Sequence, residues 1–399
     1  MPIADKVREA LGSASLIRKM FEEGSRLKER HGAENVFDFS LGNPDLDPPP
    51  EFRNALSKRA AEDPKGSHGY MPNAGYPEVR AALATACSLE QGTRLDRSCI
   101  VMSCGAAGGL NVVFKTLLNP GDTVVVPSPY FMEYRAYAEN HGARLVPVPT
   151  LPDFSLDLGA IETALAEKNS AALLINSPHN PTGRVYPGRA IADLARILSA
   201  QGRRSGRFPY LIADEPYRDI AYTPVPPVLA AYPHSLVVSS FSKSLSLAGE
   251  RIGFIAVNPE AADKEDIMNA LSYATRVLGF VNAPALMQWI VGDLTRARVD
   301  AAVYARRRDC FKAVLDRVGI GYAEPEGAFY LFCQVPGGAY DRLFVDHLAS
   351  HLILGVPGAG FGAPGWVRFA YCVDEKVIKA SEPAFERALQ SWQPPAAEA

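Results

Sequence analysis

The chain has 399 residues, enough for two or three domains and for a large core without disulfide or metal support. Its 41 lysines and arginines against 44 aspartates and glutamates give a net charge of −3, without the basic surplus that nucleic-acid binding needs. No apolar run approaches the roughly 20 residues that span a bilayer, and the N-terminus, Met1 to Lys19, lacks the apolar core of a signal peptide. We expect a cytoplasmic globular protein that binds neither nucleic acid nor membranes.

The first hundred residues contain few strands. A helix is predicted over 15–31, and the alternating segment 36–41 predicts a short strand that ends in a proline-rich loop. A second helix is predicted over 77–89, with a proline in its first turn. This region supplies an N-terminal arm and the entry to the main domain.

From about residue 98, short apolar runs alternate with helical segments, including one over 110–118. Continuous apolar strands are buried on both faces, which is typical of a parallel sheet covered by helices. Ligands of such sheets bind beyond the carboxyl ends of the strands, so the residues that follow the strands are the candidates for function. The five strands predicted here are Cys99–Ser103, Thr123–Pro127, Ala171–Asn176, Tyr210–Asp214 and Leu236–Ser240.

The C-terminal third is mostly helical up to residue 318 and then contains strands near 328–335 and 367–370. We predict an α/β protein with three parts. These are an arm with the first part of a small domain (1–50), a large domain (51–285) and a C-terminal small domain (286–399). The histidines and six cysteines show no metal-ligand spacing, so no metal site is predicted.

Two loops that follow predicted strands suit the binding of an anion or a polar ligand. The segment Gly105–Gly109 lies between a strand and a helix start, where small residues let backbone N–H groups approach a phosphate. The segment Asn180–Gly183 follows the strand that ends at Asn176. A plain tight turn is the alternative for either segment taken alone.

Asp214 and Lys243 each end or follow a buried strand. A carboxylate placed like Asp214 needs a cation, a ring N–H or a helix N-terminus beside it, or its pKa rises; capping of the next segment is the alternative. Lys243 follows Ser240 and Ser242, and Arg251 comes eight residues later. A partly desolvated lysine suits Schiff-base chemistry, while a surface lysine with a packed stem is the alternative.

These segments occur together and in one order. Besides the glycine-rich segment, the chain carries PYF at 129–131, NPTG at 180–183, DEPY at 214–217 and SFSK at 240–243. In this combination it resembles the class I and II aminotransferases of the pyridoxal-phosphate fold type I superfamily, over nearly its whole length. The resemblance implies a large cofactor domain with a mostly parallel sheet, a smaller α+β domain and pyridoxal 5′-phosphate as cofactor. The implied reaction moves an amino group between an amino acid and a 2-oxo acid by a ping-pong mechanism.

The resemblance also implies roles around the cofactor ring. Lys243 matches the Schiff-base lysine that moves a proton between the substrate Cα and the cofactor. Asp214 matches the carboxylate that keeps the ring nitrogen protonated. Tyr217 and Asn180 match residues that hydrogen-bond the phenolic oxygen, and Phe131 matches the aromatic residue that stacks on the ring.

Further matches concern the phosphate and the substrate. At Ala106 and Ala107, relatives often carry a hydroxyl or amide, so backbone N–H groups must serve there. Tyr70 matches the tyrosine that reaches the phosphate of the neighbouring subunit in a homodimer with shared sites. The implied phosphate cup is Gly105, Ala106, Ala107, Ser240, Ser242 and Arg251. The positions matched to the substrate carboxylate are Gly42, Asn180 and Arg368, with a structural ion pair as the alternative for the arginine.

Other functions on this scaffold are the alternatives. Fold and cofactor do not determine the reaction, so the activities of a β-lyase and of an amino-acid oxidase are two alternative functions. A non-catalytic ligand-sensing domain is a third, but the short segment ahead of Gly42 is not expected to hold the basic DNA-binding domain of such regulators. Arg368 and the near-complete set of matched residues favour transamination.

The side-chain specificity is expected to favour neutral substrates. One related subgroup binds dicarboxylates with a lysine where this chain has Ala107, and another uses an arginine of the partner subunit in the segment matching 278–284. That segment has no basic residue here and contains Phe280. Arg276 and Arg18 lie near enough for a displaced cation to be the alternative. We expect neutral amino acids to react at least as well as aspartate.

Overall fold

The computed structural model describes residues 3–5, 7–8, 16–338 and 340–395. Thirteen strands occur within this part of the chain. In chain order they are Phe37–Asp38 (β1), Ile100–Ser103 (β2), Thr123–Ser128 (β3), Arg144–Pro149 (β4), Ser170–Asn176 (β5), Tyr210–Asp214 (β6), Ser235–Ser240 (β7), Gly253–Val257 (β8), Tyr322–Ala323 (β9), Tyr330–Gln334 (β10), Ile353–Leu354 (β11), Val356–Pro357 (β12) and Trp366–Ala370 (β13).

Seven strands form the central sheet, in the order β2-β8-β7-β6-β5-β3-β4. Strand β8 is antiparallel to both of its neighbours, whereas the other pairings in this sheet are parallel. Strands β2 and β5 are buried along their whole length, as their continuous apolar runs lead one to expect, and β8 is buried throughout as well. Because β8 alone runs in the opposite direction, the other six strands of this sheet end at the same edge, which confirms the predicted mostly parallel sheet.

Helices cover both faces of this sheet. The helices of the described residues are Leu16–His31 (α1), Pro50–Glu62 (α2), Pro77–Gln91 (α3), Gly105–Leu117 (α4), Glu133–Glu139 (α5), Leu158–Leu165 (α6), Gly188–Ser205 (α7), Phe241–Ser244 (α8), Lys264–Val277 (α9), Ala285–Asp293 (α10), Ala301–Val318 (α11), Asp341–Ser350 (α12), Glu375–Ala380 (α13) and Glu382–Ser391 (α14). Apolar residues of α3, α7 and α10 pack on one face, and those of α4, α5 and α9 pack on the other. None of the described helices is both long and apolar enough to cross a membrane.

A second hydrophobic core forms around the antiparallel sheet β12-β13-β10-β9. Phe39, from the N-terminal segment, packs there against Phe311 and Phe385, so both ends of the chain contribute to it. Ile290 of α10 packs in the core of the large sheet, although the predicted division assigns it to the small domain. The domain boundaries themselves stay a prediction.

Several element boundaries differ from the predicted ones. Helix α4 begins at Gly105 and not at Leu110, so the glycine-rich segment is the first part of the helix and not a turn before it. Strands β4 and β8 were not predicted. β4 contains Pro147 and alternates in burial, while β8 follows an irregular segment. The strand predicted over 36–41 is shorter, Phe37–Asp38.

Candidate active site

A cavity of about 280 Å³ lies where strands β5, β6 and β7 end. Most of the predicted site residues line it: Gly42, Ala106, Ala107, Phe131, Asn180, Asp214, Tyr217, Ser240, Ser242, Lys243, Arg251 and Arg368. Two predicted residues are not part of this lining. Gly105 lies against the Arg251 guanidinium. Tyr70 is a surface residue that is 94% exposed.

Asp214, the last residue of β6, is buried with one free oxygen. Its Oδ2 accepts a hydrogen bond from the Tyr134 hydroxyl at 2.5 Å, and its Oδ1 has no partner among the described residues. Burial raises the pKa of Asp214 to about 7, although the Tyr134 hydrogen bond lowers it. A ring N–H or another cationic donor at Oδ1 would satisfy the carboxylate and favour its charged form.

Lys243 lies in the short helix α8, directly after β7. Its Nζ donates to the Gly42 carbonyl at 2.8 Å and lies 5.4 Å from the centre of the Phe329 ring. Burial lowers the pKa of Lys243 to about 8, because the apolar surroundings disfavour the ammonium form. Near neutral pH a useful fraction of this amine is unprotonated, which is the form that attacks a carbonyl carbon.

An anion site is assembled at one end of the cavity. Helix α4 begins here with Gly105 at a positive φ of 70°, and a Cβ at this position would come within 2.9 Å of Arg251 Nη2. Only glycine therefore lets the helix start and the guanidinium approach each other. Arg251 itself has a left-handed backbone with φ of 52°, and its Nη1 donates to Ala248 O at 2.9 Å. Together with Ser240 and Ser242, these groups could hold a phosphate.

Arg368 lies on β13 and is 2% exposed. Its Nη1 donates to Asn180 Oδ1 at 3.0 Å and its Nη2 to Ser40 O at 2.7 Å, while Nε has no partner among the described residues. The rings of Tyr330 and Phe361 lie 4.5 and 4.9 Å from its guanidinium carbon. No carboxylate in the described part of the chain forms an ion pair with it, so the structural ion pair considered as the alternative is not formed there.

Three residues that sequence analysis did not single out as site residues take part in this arrangement. Tyr330 lies with its hydroxyl 2.8 Å from that of Tyr217, and a Cβ at Gly42 would overlap the Tyr330 hydroxyl. Asn176 donates to Asp214 O at 2.8 Å and accepts from Asn180 N at 2.7 Å. The third is Tyr134. Asn176 ends a predicted strand and could have been found by its position there, whereas no motif in the sequence distinguishes the two tyrosines from other aromatic residues.

The donor set suits an organic cofactor and a carboxylate substrate. The cavity brings together an amine with a lowered pKa, a buried carboxylate with a free oxygen, an anion-binding helix start and a guanidinium. Within the described residues there is no cluster of His, Cys, Asp or Glu side chains that could hold a metal ion. This combination can bind a phosphorylated aromatic aldehyde at one end and an α-carboxylate at the other.

Comparison with known proteins agrees with this chemistry. The sequence model of the family "aminotransferase class I and II" matches residues 34–381. An aspartate/prephenate aminotransferase of Thermus thermophilus is 30% identical over 91% of this chain and 93% of its own, and an aspartate aminotransferase of Pyrococcus horikoshii is 30% identical over 97% of both.

Solved structures resemble the whole chain. An amino transferase from Eubacterium rectale superposes with a TM-score of 0.94 at 36% identity, covering 99% of this chain and 100% of its own. The aspartate aminotransferase of Thermus thermophilus with maleate has a TM-score of 0.83 at 27% identity, covering 94% and 97%. The chain belongs to the class I and II aminotransferases, and it is an enzyme that transfers amino groups.

Proposed function

We propose that this aminotransferase uses pyridoxal 5′-phosphate to move an amino group between an amino acid and a 2-oxo acid by a ping-pong mechanism. One observation carries the proposal: the free Oδ1 of Asp214, the Lys243 amine and the Arg368 guanidinium line one cavity. When bound, the cofactor supplies a carbonyl carbon that takes up the amino group and a ring that accepts electrons from the substrate Cα.

The residues of the chain fit the two ends of this cofactor. At the phosphate end, Arg251, the hydroxyls of Ser240 and Ser242, and the N–H groups of Gly105, Ala106 and Ala107 bind the anion. At the ring end, Asp214 Oδ1 accepts from the ring nitrogen, which removes an unsatisfied buried acceptor. Tyr217 and Asn180 hydrogen-bond the phenolic oxygen, and Phe131 stacks on the ring.

Lys243 moves the proton in this mechanism. Its Nζ is the group that would link the cofactor to the chain. As a free amine it would accept the proton from the substrate Cα and return it to the cofactor side. Since burial lowers the pKa of this amine to about 8, it can both accept and release a proton near neutral pH.

Arg368 and its neighbours bind the substrate carboxylate. The free Nε of Arg368 provides a donor for a planar carboxylate, with Asn180 and the backbone of Gly42 beside it. Within the described part of the chain, the cations that line the cavity are Lys243, Arg251 and Arg368. We assign the first two to the cofactor and the third to the α-carboxylate, which supports substrates with a neutral side chain. Arg276 stacks on the exposed Tyr273 and does not line the cavity, and the side chain of Arg18 lies outside the described residues.

We further propose a homodimer with shared active sites, located in the cytoplasm. Tyr70 is 94% exposed and does not line the cavity of its own chain, which suits a tyrosine that completes the phosphate site of a partner. The cytoplasmic location is supported by the six cysteines, all of which are free.

The experiment that tests the proposed reaction is a half-reaction screen. Purified holoenzyme is mixed with single amino acids, and the absorbance of the bound cofactor is followed as it converts to the pyridoxamine form. Borohydride reduction and peptide mapping then locate the cofactor, which is expected on Lys243; a label on another lysine would contradict the assignment. Ammonia release or hydrogen peroxide in place of the pyridoxamine form would indicate a β-lyase or an oxidase, and no conversion would favour a ligand sensor.

A further inference from the structure

A tyrosine outside the predicted site makes the shortest contact to the buried carboxylate of the cavity. Tyr134 lies in α5, is 2% exposed and donates its hydroxyl to Asp214 Oδ2 at 2.5 Å. It also lines the cavity. The phenol is therefore placed to act on the carboxylate that faces the cofactor ring.

The hydrogen bond from Tyr134 gives the two carboxylate oxygens of Asp214 different surroundings. Burial and the neighbouring carboxylate raise the pKa of Tyr134 well above its usual value, so its hydroxyl stays protonated and donates to Asp214 Oδ2. Oδ2 is thereby occupied, and Oδ1 is the oxygen left without a partner among the described residues. The Asp214 main chain is held separately, by Asn176 Nδ2 at 2.8 Å from its carbonyl oxygen.

The same phenol also supports the wall of the cavity. The ring of Phe131 meets the ring of Tyr134 edge-on, with centroids 5.5 Å apart, and Tyr134 N donates to Phe131 O at 3.0 Å. The stacking side chain and the carboxylate are therefore linked through one residue. A change in the position of Tyr134 would move both groups that define where the cofactor ring lies.

We propose that Tyr134 is a positioning residue: it occupies Asp214 Oδ2, so that Oδ1 alone is presented to the ring nitrogen of the cofactor. This inference rests on the proposed use of pyridoxal 5′-phosphate and adds to it the group that orients the carboxylate. A hydroxyl that only fills space beside Asp214 would affect any ligand of this shape equally. A hydroxyl that orients and charges the carboxylate affects only a ligand with a nitrogen at the matching ring position.

The experiment compares two ligands of the same shape. Apoenzyme is titrated with pyridoxal 5′-phosphate and with its analogue in which C–H replaces the ring nitrogen, and both dissociation constants are measured. In Tyr134→Phe, the affinity for pyridoxal 5′-phosphate is expected to fall by about tenfold or more, because a buried carboxylate loses a charge-assisted hydrogen bond. The affinity for the analogue is expected to stay within about threefold of the wild-type value, since C–H offers Oδ1 no hydrogen bond.

Tyr232→Phe is the matched control. Tyr232 is buried at the other end of β6, where its hydroxyl donates to Pro209 O at 2.9 Å, so this exchange also removes one buried phenol hydrogen bond. Both dissociation constants are expected to stay at wild-type values in this variant. An equal loss of affinity for both ligands in Tyr134→Phe would overturn the inference and leave the proposed function standing. Failure of the wild-type protein to bind pyridoxal 5′-phosphate would overturn the proposed function itself.

A crystal structure of the wild-type holoenzyme tests the same point without any variant, and it decides the matter if Tyr134→Phe does not fold. The Tyr134 hydroxyl and the ring nitrogen are expected within hydrogen-bond distance of different oxygens of Asp214. Both groups on one oxygen, or a Tyr134 hydroxyl turned away from Asp214, would overturn the inference.

Discussion

At the scale of single residues, Asp214 illustrates how a site can be built at a cost to the stability of the empty protein. Asp214 is 6% exposed, and among the described residues its carboxyl accepts one hydrogen bond, from Tyr134, and forms no ion pair. Burial raises its pKa to about 7, well above the 3.8 of the unfolded chain. The folded apoenzyme therefore resists the ionised form, and that resistance favours a ligand which brings a positive ring nitrogen.

Asp214→Asn is expected to stabilise the apoenzyme at alkaline pH. Because the folded pKa exceeds the unfolded one, the contribution of Asp214 to the wild-type stability falls as the pH rises from about 4 to about 7 and stays low above that range. The asparagine variant has no such charge, so its free energy of unfolding at pH 8 should exceed that of the wild type by about 2–4 kcal/mol. Denaturant unfolding of both apoproteins at pH 5 and pH 8 measures the difference.

The gain in free energy of unfolding of Asp214→Asn should be smaller at pH 5 than at pH 8. The variant should also bind pyridoxal 5′-phosphate more weakly than the wild type. An equal stability difference at both pH values would contradict the assignment of the effect to the Asp214 charge. A stabilised variant that kept full cofactor affinity would instead argue against the pairing of Asp214 with the ring nitrogen.

At the scale of elements, the ends of β5 and β6 are joined by one side chain. Asn176, the last residue of β5, bonds both the Asp214 carbonyl and the Asn180 N–H. It therefore sets the spacing between two residues predicted to contact the cofactor. Adjacent parallel strands bring these groups to one edge, but this amide holds the loop after β5 against the end of β6.

Asn176→Ala is expected to lower the free energy of unfolding by about 1–3 kcal/mol, because it leaves a buried N–H and carbonyl without partners. It should also weaken binding of pyridoxal 5′-phosphate. Asn258→Ala is the matched control, since Asn258 is 2% exposed and its amide donates to Leu229 O and Tyr232 O after strand β8. Loss of stability in both variants with unchanged cofactor affinity in both would contradict a role of Asn176 in the site.

The elements differ in how far the sequence predicts them. Strands buried on both faces are continuous apolar runs, and β6 has the predicted bounds Tyr210–Asp214. Strand β4 was missed because its prolines and alternating burial resemble a loop, and the start of α4 was missed because glycines read as a turn. Asp214 and Lys243 stand out in the sequence because they end or follow buried strands, whereas Tyr134 does not, because its contact with Asp214 joins residues that are 80 positions apart.

At the scale of the whole molecule, Tyr70 is the residue on which the proposed shared site depends. A tyrosine that is 94% exposed gains nothing from burial within its own chain, and a phosphate of the partner would explain its position. Mixing Tyr70→Phe with Lys243→Ala subunits should give hybrid dimers in which one site carries both lesions and the other carries neither. Part of the activity is therefore expected to return on mixing, measured as turnover against subunit ratio.

The control mixes Lys243→Ala with Asp214→Ala subunits. Both of these residues line the cavity of the same chain, so every site in such a hybrid keeps one lesion and no activity should return. Recovery of activity in this control would show that the recovery in the first mixture does not depend on a site shared between subunits. A wild-type enzyme that is active as a monomer at the assay concentration would contradict the shared site.

The expected choice of substrate also belongs to this scale, because in the proposed dimer the segment 278–284 is expected to reach the partner's cavity. It has no basic residue, and among the described residues the cations that line the cavity are Lys243, Arg251 and Arg368. A buried carboxylate without a cation is costly, so aspartate should gain nothing over neutral donors. We expect kcat/KM for alanine, leucine, methionine or phenylalanine to equal or exceed that for aspartate, measured with 2-oxoglutarate as acceptor.

Two of the similar proteins are named for aspartate, so this expectation would distinguish the chain from them. A lead of about a hundredfold for aspartate, or about 2.7 kcal/mol, would require a second cation, and Arg276→Ala would then be the first variant to test.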